Sequence, residues 1–186
     1  MNRAKLGIFI FGDIEGPVAD RIMALHARFD PRLARLGPPH VTLAGSSGIG
    51  PIAPDTKVEE LTSRLAPIAS TTSPITIRFG RATRFMQTPI VVLPLDPHGP
   101  LRTLHERVKL SGLRSAAPRF YFTPHVTLSL YRDLPREELT ALLAERFDEP
   151  VVIDRISCYL SSDIGESRHL VTFPLTGVET GSAVGG

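Results

Sequence analysis

The sequence has little of what builds disulfide scaffolds, metal sites or membrane spans. It contains one cysteine, Cys158, so no intrachain disulfide can form, and this favours a reducing, cytoplasmic location. No apolar run approaches the roughly 20 residues that a membrane-spanning helix needs, so we expect no membrane partner. None of the six histidines shows a metal-ligand spacing such as HExxH, and the sequence therefore predicts no metal and no other cofactor.

Phosphate loops and lysine are also scarce. The glycine-rich stretch Gly45–Pro51 lacks the lysine and the helix start of a nucleoside triphosphate loop, so ATP use is not indicated. Lysine occurs 3 times and arginine 18 times. Arginine suits phosphate because its planar fork binds two oxygens at once, but a codon bias of the parent genome explains the excess equally well.

The remaining composition is that of an ordinary folded domain. Of the 186 residues, 42% are hydrophobic and 22% are charged, which excludes collagen-like, coiled-coil and wholly disordered chains. A chain of this length can bury a core without staples and predicts one domain.

An internal repeat organises the chain. The segment PHVTL occurs at Pro39–Leu43 and again at Pro124–Leu128. The flanking patterns also recur in the same order: apolar runs at Leu6–Phe11 and Ile90–Leu95, helical patterns at Val18–Phe29 and Leu101–Leu113, the segments Glu59–Ala66 and Glu137–Ala144, and β-type runs after Pro74 and Pro150. The pattern therefore predicts the order strand, helix, strand, helix, strand in each half, over about 6–80 and 90–160.

This order predicts an α+β fold of two lobes related by a pseudo-twofold axis. Each lobe would be an antiparallel or mixed sheet with helices on its outside, and the active-site cleft would lie between the lobes. We expect a single bilobal, monomeric domain over 1–175, with late strands near Leu160 and at His169–Leu175. Residues 176–186 are rich in Gly and Ser and predict a disordered tail.

The repeated strands carry the candidate chemistry. Because strand side chains alternate between faces, His125 shares one face with Thr127, Ser129 and Tyr131, as His40 does with Thr42. Two facing histidines can perform acid–base phosphoryl chemistry without a metal, one taking a proton and the other giving one. Neighbouring threonine hydroxyls can donate hydrogen bonds to phosphate oxygens.

A structural interpretation stands beside this one. PHVTL can instead be a folding motif of the repeat, with polar residues on an edge strand. The other histidines favour structural roles: His26 and His105 are expected on packed helix faces, His98 lies in a turn and His169 in a late strand.

These motifs resemble the 2H phosphoesterase superfamily, whose two similar lobes each carry a His-x-Thr motif. The resemblance covers the chain from Leu6 to about Leu175. Within the superfamily the chain is most similar to the bacterial 2′-5′ RNA ligase or RNA 2′,3′-cyclic phosphodiesterase group. It implies metal-free hydrolysis of a 2′,3′-cyclic phosphate on an RNA end or a small nucleotide to the 2′-phosphate. By analogy His125 is the base that activates water, and His40 is the acid that protonates O3′.

Substrate contacts and alternatives remain open. Tyr131, Arg132 and Tyr121 are the candidate substrate-binding residues, with Tyr131 on the histidine face if the strand is regular. Aromatic residues make up only 6% of the chain, so no long RNA-binding surface is evident. The alternatives are 2′-5′ ligation, hydrolysis of another phosphodiester, and a nucleotide-binding module without turnover.

Overall fold

A computed structural model describes residues 6–85, 87–161 and 167–178 of the chain. The strands in these ranges are β1 (Gly7–Asp13), β2 (His40–Ala44), β3 (Ile75–Ile77), β4 (Thr83–Arg84), β5 (Val91–Pro94), β6 (His125–Ser129), β7 (Val151–Ile153), β8 (Arg155–Ser161) and β9 (Arg168–Pro174). The helices are α1 (Pro17–Phe29), α2 (Pro31–Ala34), α3 (Val58–Ser70), α4 (Pro100–Lys109) and α5 (Arg136–Ala144).

Each helix and strand predicted from the repeat is present, with shifted ends. Helices α1 and α4 each begin at a proline, because the fixed φ of proline suits the first turn and its missing N–H has no helical partner there. Helix α4 ends at Lys109, four residues before the predicted end at Leu113. The chain leaves the helix through Gly112, whose φ of +83° is left-handed, and Leu113 is buried separately in the core.

The strands form antiparallel sheets, and the predicted α+β class is confirmed. A four-stranded sheet has the order β2-β1-β8-β9, and a three-stranded sheet has the order β4-β5-β6. Strands β3 and β7 form a separate antiparallel pair. The motif strands β2 and β6 each end their sheet, and they lie in contact with each other where the two sheets meet.

A strand of the second half of the repeat joins the sheet of the first half. Strand β8, from the end of the second half, pairs with β1 of the first half from Ile156 to Ser161. Strand β4, which follows the first half, pairs with β5 of the second half. The four-stranded sheet therefore combines elements from both ends of the chain, an arrangement that the order of elements along the sequence does not show.

The predicted tail 176–186 is described only as far as residue 178. The backbone N–H groups of Thr176 and Gly177 donate hydrogen bonds to the carbonyls of Ala69 and Thr72, at 3.2 and 2.9 Å. These two residues are therefore anchored at the end of α3 rather than forming part of a free tail. Residues 179–186 lie outside the described residues.

Candidate active site

The two motif strands present matching polar faces. In β2, Val41 and Leu43 are buried while His40 and Thr42 are partly exposed. In β6, Val126 and Leu128 are buried while His125 and Thr127 are partly exposed. The pleat turns each histidine and its threonine away from the core together, as the alternation predicted.

Both motif histidines are held by the same local hydrogen bond. Nδ1 of His40 lies 2.9 Å from the carbonyl oxygen of Pro38, and Nδ1 of His125 lies 2.7 Å from that of Thr123. A carbonyl oxygen can only accept, so Nδ1 carries the proton and donates in both rings. In the neutral imidazole Nε2 is then a bare nitrogen, free to take a proton from a ligand.

An aromatic ring lies against each motif histidine. The ring of Phe11, on β1, stacks on His40 with centroids 3.7 Å apart. The ring of Phe85, just after β4, meets His125 edge-on at 5.1 Å. No pattern in the sequence predicts either phenylalanine beside a histidine, because the contacts depend on the register of β1 with β2 and on how the segment after β4 packs against β6.

Burial keeps the motif histidines neutral. Desolvation lowers the pKa of His40 to about 4, against the opposing effect of its hydrogen bond to Pro38, and positive charge on His26 or His125 would lower it further. The pKa of His125 is also lowered from its usual 6.5, chiefly by burial. At neutral pH both imidazoles are therefore uncharged, and a bound anion is needed to favour a proton on one of them.

Two further histidines hold the motif strands from behind. His26, on α1, has Nε2 2.8 Å from the carbonyl oxygen of Thr127, and His105, on α4, has Nδ1 2.8 Å from that of Leu43. Both side chains are buried, in keeping with the prediction that they pack on helix faces. Each one joins a helix of one half to the motif strand of the other half, a role that spacing along the chain could not show.

The end of β6 is fixed by Asp30. This fully buried carboxylate accepts hydrogen bonds at 2.7 Å from the backbone N–H groups of both Leu130 and Tyr131. It also caps α2 by accepting from the N–H of Leu33 at 3.2 Å. The sequence did not predict this role of Asp30, because a lone aspartate before a proline indicates only a helix cap.

The prediction that Ser129 and Tyr131 continue the polar face of β6 is wrong. The strand ends at Ser129, whose side chain is fully buried, and a register shift interrupts its pairing with β5. The ring of Tyr131 instead lies under the guanidinium of Arg32, which is 4.1 Å from the ring centroid.

Arg132 and Tyr121 also have positions that the sequence did not settle. Arg132 donates to the carbonyl of Phe29 at 2.9 Å and pairs with Glu138 at 3.3 Å, so its guanidinium is engaged between α1 and α5. The side chain of Tyr121 is 94% exposed. Its neighbour Phe122 is buried and stacks on His105 at 3.8 Å.

Metal clusters and membrane-spanning helices are both absent from the described part of the chain. Within residues 6–85, 87–161 and 167–178, no group of three or more His, Cys, Asp or Glu side chains is arranged to hold a metal ion. In the same ranges no helix is both long enough and apolar enough to cross a membrane.

Known proteins are similar to this chain in sequence. Residues 14–163 match the model of the 2′-5′ RNA ligase superfamily. A Geobacillus kaustophilus protein named "Putative phosphoesterase GK0864" is 31% identical over 183 residues, which are 95% of this chain and 99% of that protein. A Bacillus pumilus protein, also named "Putative phosphoesterase", is 26% identical over 92% of this chain and 97% of its own length.

Solved structures share the fold. The TT0787 protein of Thermus thermophilus superposes with a TM-score of 0.63 at 18% identity, covering 91% of this chain and 98% of its own. LigT of E. coli, in a complex with 3′-AMP, superposes with a TM-score of 0.59 at 20% identity, covering 92% and 98%.

The doubled His-x-Thr strands at the meeting of two antiparallel sheets define a 2H phosphoesterase fold. The chain belongs to the 2′-5′ RNA ligase superfamily. The resemblance identified in the sequence is thereby confirmed.

Proposed function

We propose that this protein is a metal-independent phosphodiesterase that hydrolyses the 2′,3′-cyclic phosphate of an RNA end or a nucleotide to the 2′-phosphate. The observation that carries the proposal is the matched pair of Nδ1 hydrogen bonds at His40 and His125. Each bond fixes the tautomer and leaves Nε2 available to a ligand. Paired imidazoles of this kind supply a base and an acid for one displacement at phosphorus.

The reaction needs two proton transfers. Nε2 of His125 takes a proton from water while the water oxygen bonds to phosphorus, and the bond from phosphorus to O3′ breaks. Nε2 of His40, protonated when the phosphodiester anion is bound, gives its proton to O3′. The low pKa of His40 suits this role once it is protonated, because a weakly held proton is transferred readily. The product is the 2′-phosphate with a free 3′-hydroxyl.

The threonine hydroxyls complete the site. Thr42 and Thr127 lie on the same faces as the histidines and can donate hydrogen bonds to the two non-bridging oxygens. Those oxygens carry the charge in the transition state, so donors placed beforehand lower the barrier.

A nucleotide as the bound partner is supported by relatives. Solved structures of LigT contain 3′-AMP in one case and ATP in another. The family name also makes 2′-5′ ligation the second candidate. In that reaction an RNA 5′-hydroxyl replaces water, with the same base and acid.

The test uses the four nucleoside 2′,3′-cyclic phosphates and phosphorus NMR of the products. We expect the 2′-phosphate from the wild type, with a chelator making no difference. His40→Ala and His125→Ala should each reduce turnover by a factor of about 100 or more, since each removes one proton transfer. His98→Ala, at an exposed turn, is the matched control. Full activity in either motif variant, or a 3′-phosphate product, would contradict the proposal.

A further inference from the structure

Each strand of the four-stranded sheet contributes one ring to a row of neighbouring rings on one face of the sheet. His40 on β2 stacks on Phe11 of β1 with centroids 3.7 Å apart. The ring of Phe11 lies 5.5 Å from that of Tyr159 on β8, which lies 5.2 Å from that of His169 on β9. These four residues form a continuous row, called here the ring ladder, that begins at a motif histidine and ends at the edge of the sheet.

Strand register places the four rings on one face. Phe11 pairs with Thr42 on one side and with Ser157 on the other, and Tyr159 pairs with His169. Residues paired across antiparallel strands point to the same side of a sheet. The ring ladder therefore shares the face of His40 and Thr42, and it extends that face away from the meeting of the two sheets.

A chain of hydrogen bonds holds the outer end of the ring ladder. The hydroxyl of Ser157 donates to the carboxylate of Asp13 and lies 2.7 Å from the hydroxyl of Thr172. Nε2 of His169 lies 2.8 Å from the same Thr172 hydroxyl. Because Ser157 uses its proton on Asp13, Thr172 donates to Ser157 and accepts from His169. The chain links β1, β8 and β9 and fixes the ring of His169.

A bulge makes this chain possible. His169 and Thr172 are three residues apart, so a regular strand would point them to opposite faces. The pairing of β8 with β9 shifts between Cys158 and Tyr159, and both side chains consequently reach the same hydroxyl network.

The second lobe has no counterpart among the described residues. There His125 meets Phe85, and no ring contact continues from Phe85 within residues 6–85, 87–161 and 167–178. The adjoining edge strand β4 has only two residues, Thr83 and Arg84. The pseudo-twofold symmetry of the motifs is thus broken by an aromatic surface on the His40 side alone.

We propose that the ring ladder is a stacking platform for the bases of single-stranded RNA whose reactive end lies at His40. Exposed aromatic rings on sheet surfaces bind single-stranded bases in a sequence-tolerant way. Tyr159 is partly exposed and His169 is exposed, so both are accessible to a ligand.

The length of the ring ladder indicates the substrate class. Three strand spacings of ~4.8 Å separate His40 from His169, about 14 Å in total. A base that stacks on one ring covers about one strand spacing, so the platform is longer than one nucleotide requires. The preferred substrate is then an oligonucleotide end rather than a mononucleotide. This inference rests on the proposed function, whose substrate it specifies.

The first measurement is direct binding, which needs no turnover. A 5′-fluorescent RNA hexanucleotide ending in a 2′-phosphate is titrated against the wild type, Tyr159→Leu, Tyr159→Phe and His169→Ala by anisotropy. Competition with a nucleoside 2′-phosphate gives the affinity for a mononucleotide. We expect Tyr159→Leu and His169→Ala each to weaken binding of the hexanucleotide about tenfold, which is the scale of one lost stacking contact. Tyr159→Phe keeps the ring and should bind within twofold of the wild type, as should the exposed control His98→Ala.

The second measurement separates this proposal from the proposed function. For His169→Ala, which removes the ring farthest from His40, kcat/KM on a nucleoside 2′,3′-cyclic phosphate should stay within twofold, while KM rises about tenfold on a hexanucleotide that carries the same end. Equal losses on both substrates, or unchanged hexanucleotide binding, would overturn the platform. If no cyclic phosphate is hydrolysed, the proposed function fails, and the anisotropy result alone still decides whether the ring ladder binds RNA.

Discussion

His26 donates a hydrogen bond from Nε2 to the carbonyl of Thr127 at 2.8 Å, across 101 residues of sequence. The carbonyl belongs to the motif strand of the second half, whereas His26 lies on α1 of the first half. The bond fixes the backbone that carries His125 and the hydroxyl of Thr127. His105 makes the reciprocal contact to Leu43 in the other motif strand.

We expect His26→Leu to destabilise the protein and to slow catalysis. The buried carbonyl of Thr127 would lose its donor, which costs about 1–3 kcal/mol of unfolding free energy. A looser strand should reduce kcat roughly tenfold with less change in KM, since positioning acts mainly in the transition state. His26→Gln retains an N–H donor and should recover part of both losses. Urea unfolding and steady-state kinetics measure the two effects, and a His26→Leu enzyme with unchanged kcat would remove the positioning role.

The pH dependence of activity should show the lowered histidine pKa values. The free enzyme needs one protonated imidazole, but the pKa of His40 is lowered to about 4 and that of His125 lies below 6.5. The optimum of kcat/KM, which reports the free enzyme, should therefore lie below pH 6.5. The bound phosphodiester anion favours protonated imidazole, so the optimum of kcat should lie at higher pH than that of kcat/KM. Coincident optima above pH 7 would contradict this account.

Stability should fall as the solution becomes acidic. Burial lowers the pKa of His26, His40, His105 and His125 in the folded state, so the unfolded chain binds protons first. Their contribution is present above the unfolded pKa of 6.5 and declines as pH falls below it, by up to ~1.4 kcal/mol per pH unit for each histidine. Urea unfolding at pH 7.5, 6 and 5 measures the slope, and His105→Gln should reduce it. A flat profile over this range would show that the histidines remain accessible to protons when folded.

Asp30→Asn should lower the free energy of unfolding strongly, although the side chain keeps almost the same size. The carboxylate accepts from the N–H groups of Leu130 and Tyr131 and caps α2, and an asparagine side chain presents only one acceptor. Losing a charge-assisted bond in a buried site costs about 1.5–3 kcal/mol. Asp55→Asn is the matched control, because Asp55 lies in an exposed ion pair with Arg114 and should change stability little. Equal urea midpoints for the two variants would argue against the anchoring role of Asp30.

A cyclic phosphate substrate with sulfur in place of O3′ distinguishes the catalytic acid from the catalytic base. With sulfur in place of O3′, the leaving thiolate needs no proton, so the acid becomes dispensable. We expect His40→Ala to regain most activity on this substrate, within about tenfold of the wild type, while His125→Ala stays inactive. Rescue of His125→Ala instead would exchange the two roles.

Local patterns were sufficient for the elements of the repeat and for the four motif residues as candidates, but not for the short α2 and β4. The repeat of PHVTL, the proline starts of α1 and α4 and the alternation in β2 and β6 are properties of adjacent residues, and the structure reproduces them. The face predicted for Tyr131 failed because β6 ends at Ser129 and its pairing with β5 is irregular. Strand irregularities of this kind depend on the partner strand, so the two-residue alternation within one strand does not predict them.

The sequence by itself determined that two His-x-Thr strands exist and that each turns its polar residues off the core, because alternation is a property of one strand. Tertiary structure decided which side chains surround them. The register of β1 with β2 brings Phe11 to His40, and the segment after β4 places Phe85 beside His125. The pairing of β8 with β1 and β9 sets Tyr159 and His169 on one face of a sheet. These contacts depend on strand pairing and register, including the pairing of β1 with β8 across most of the chain, and both are fixed only when the whole chain has folded.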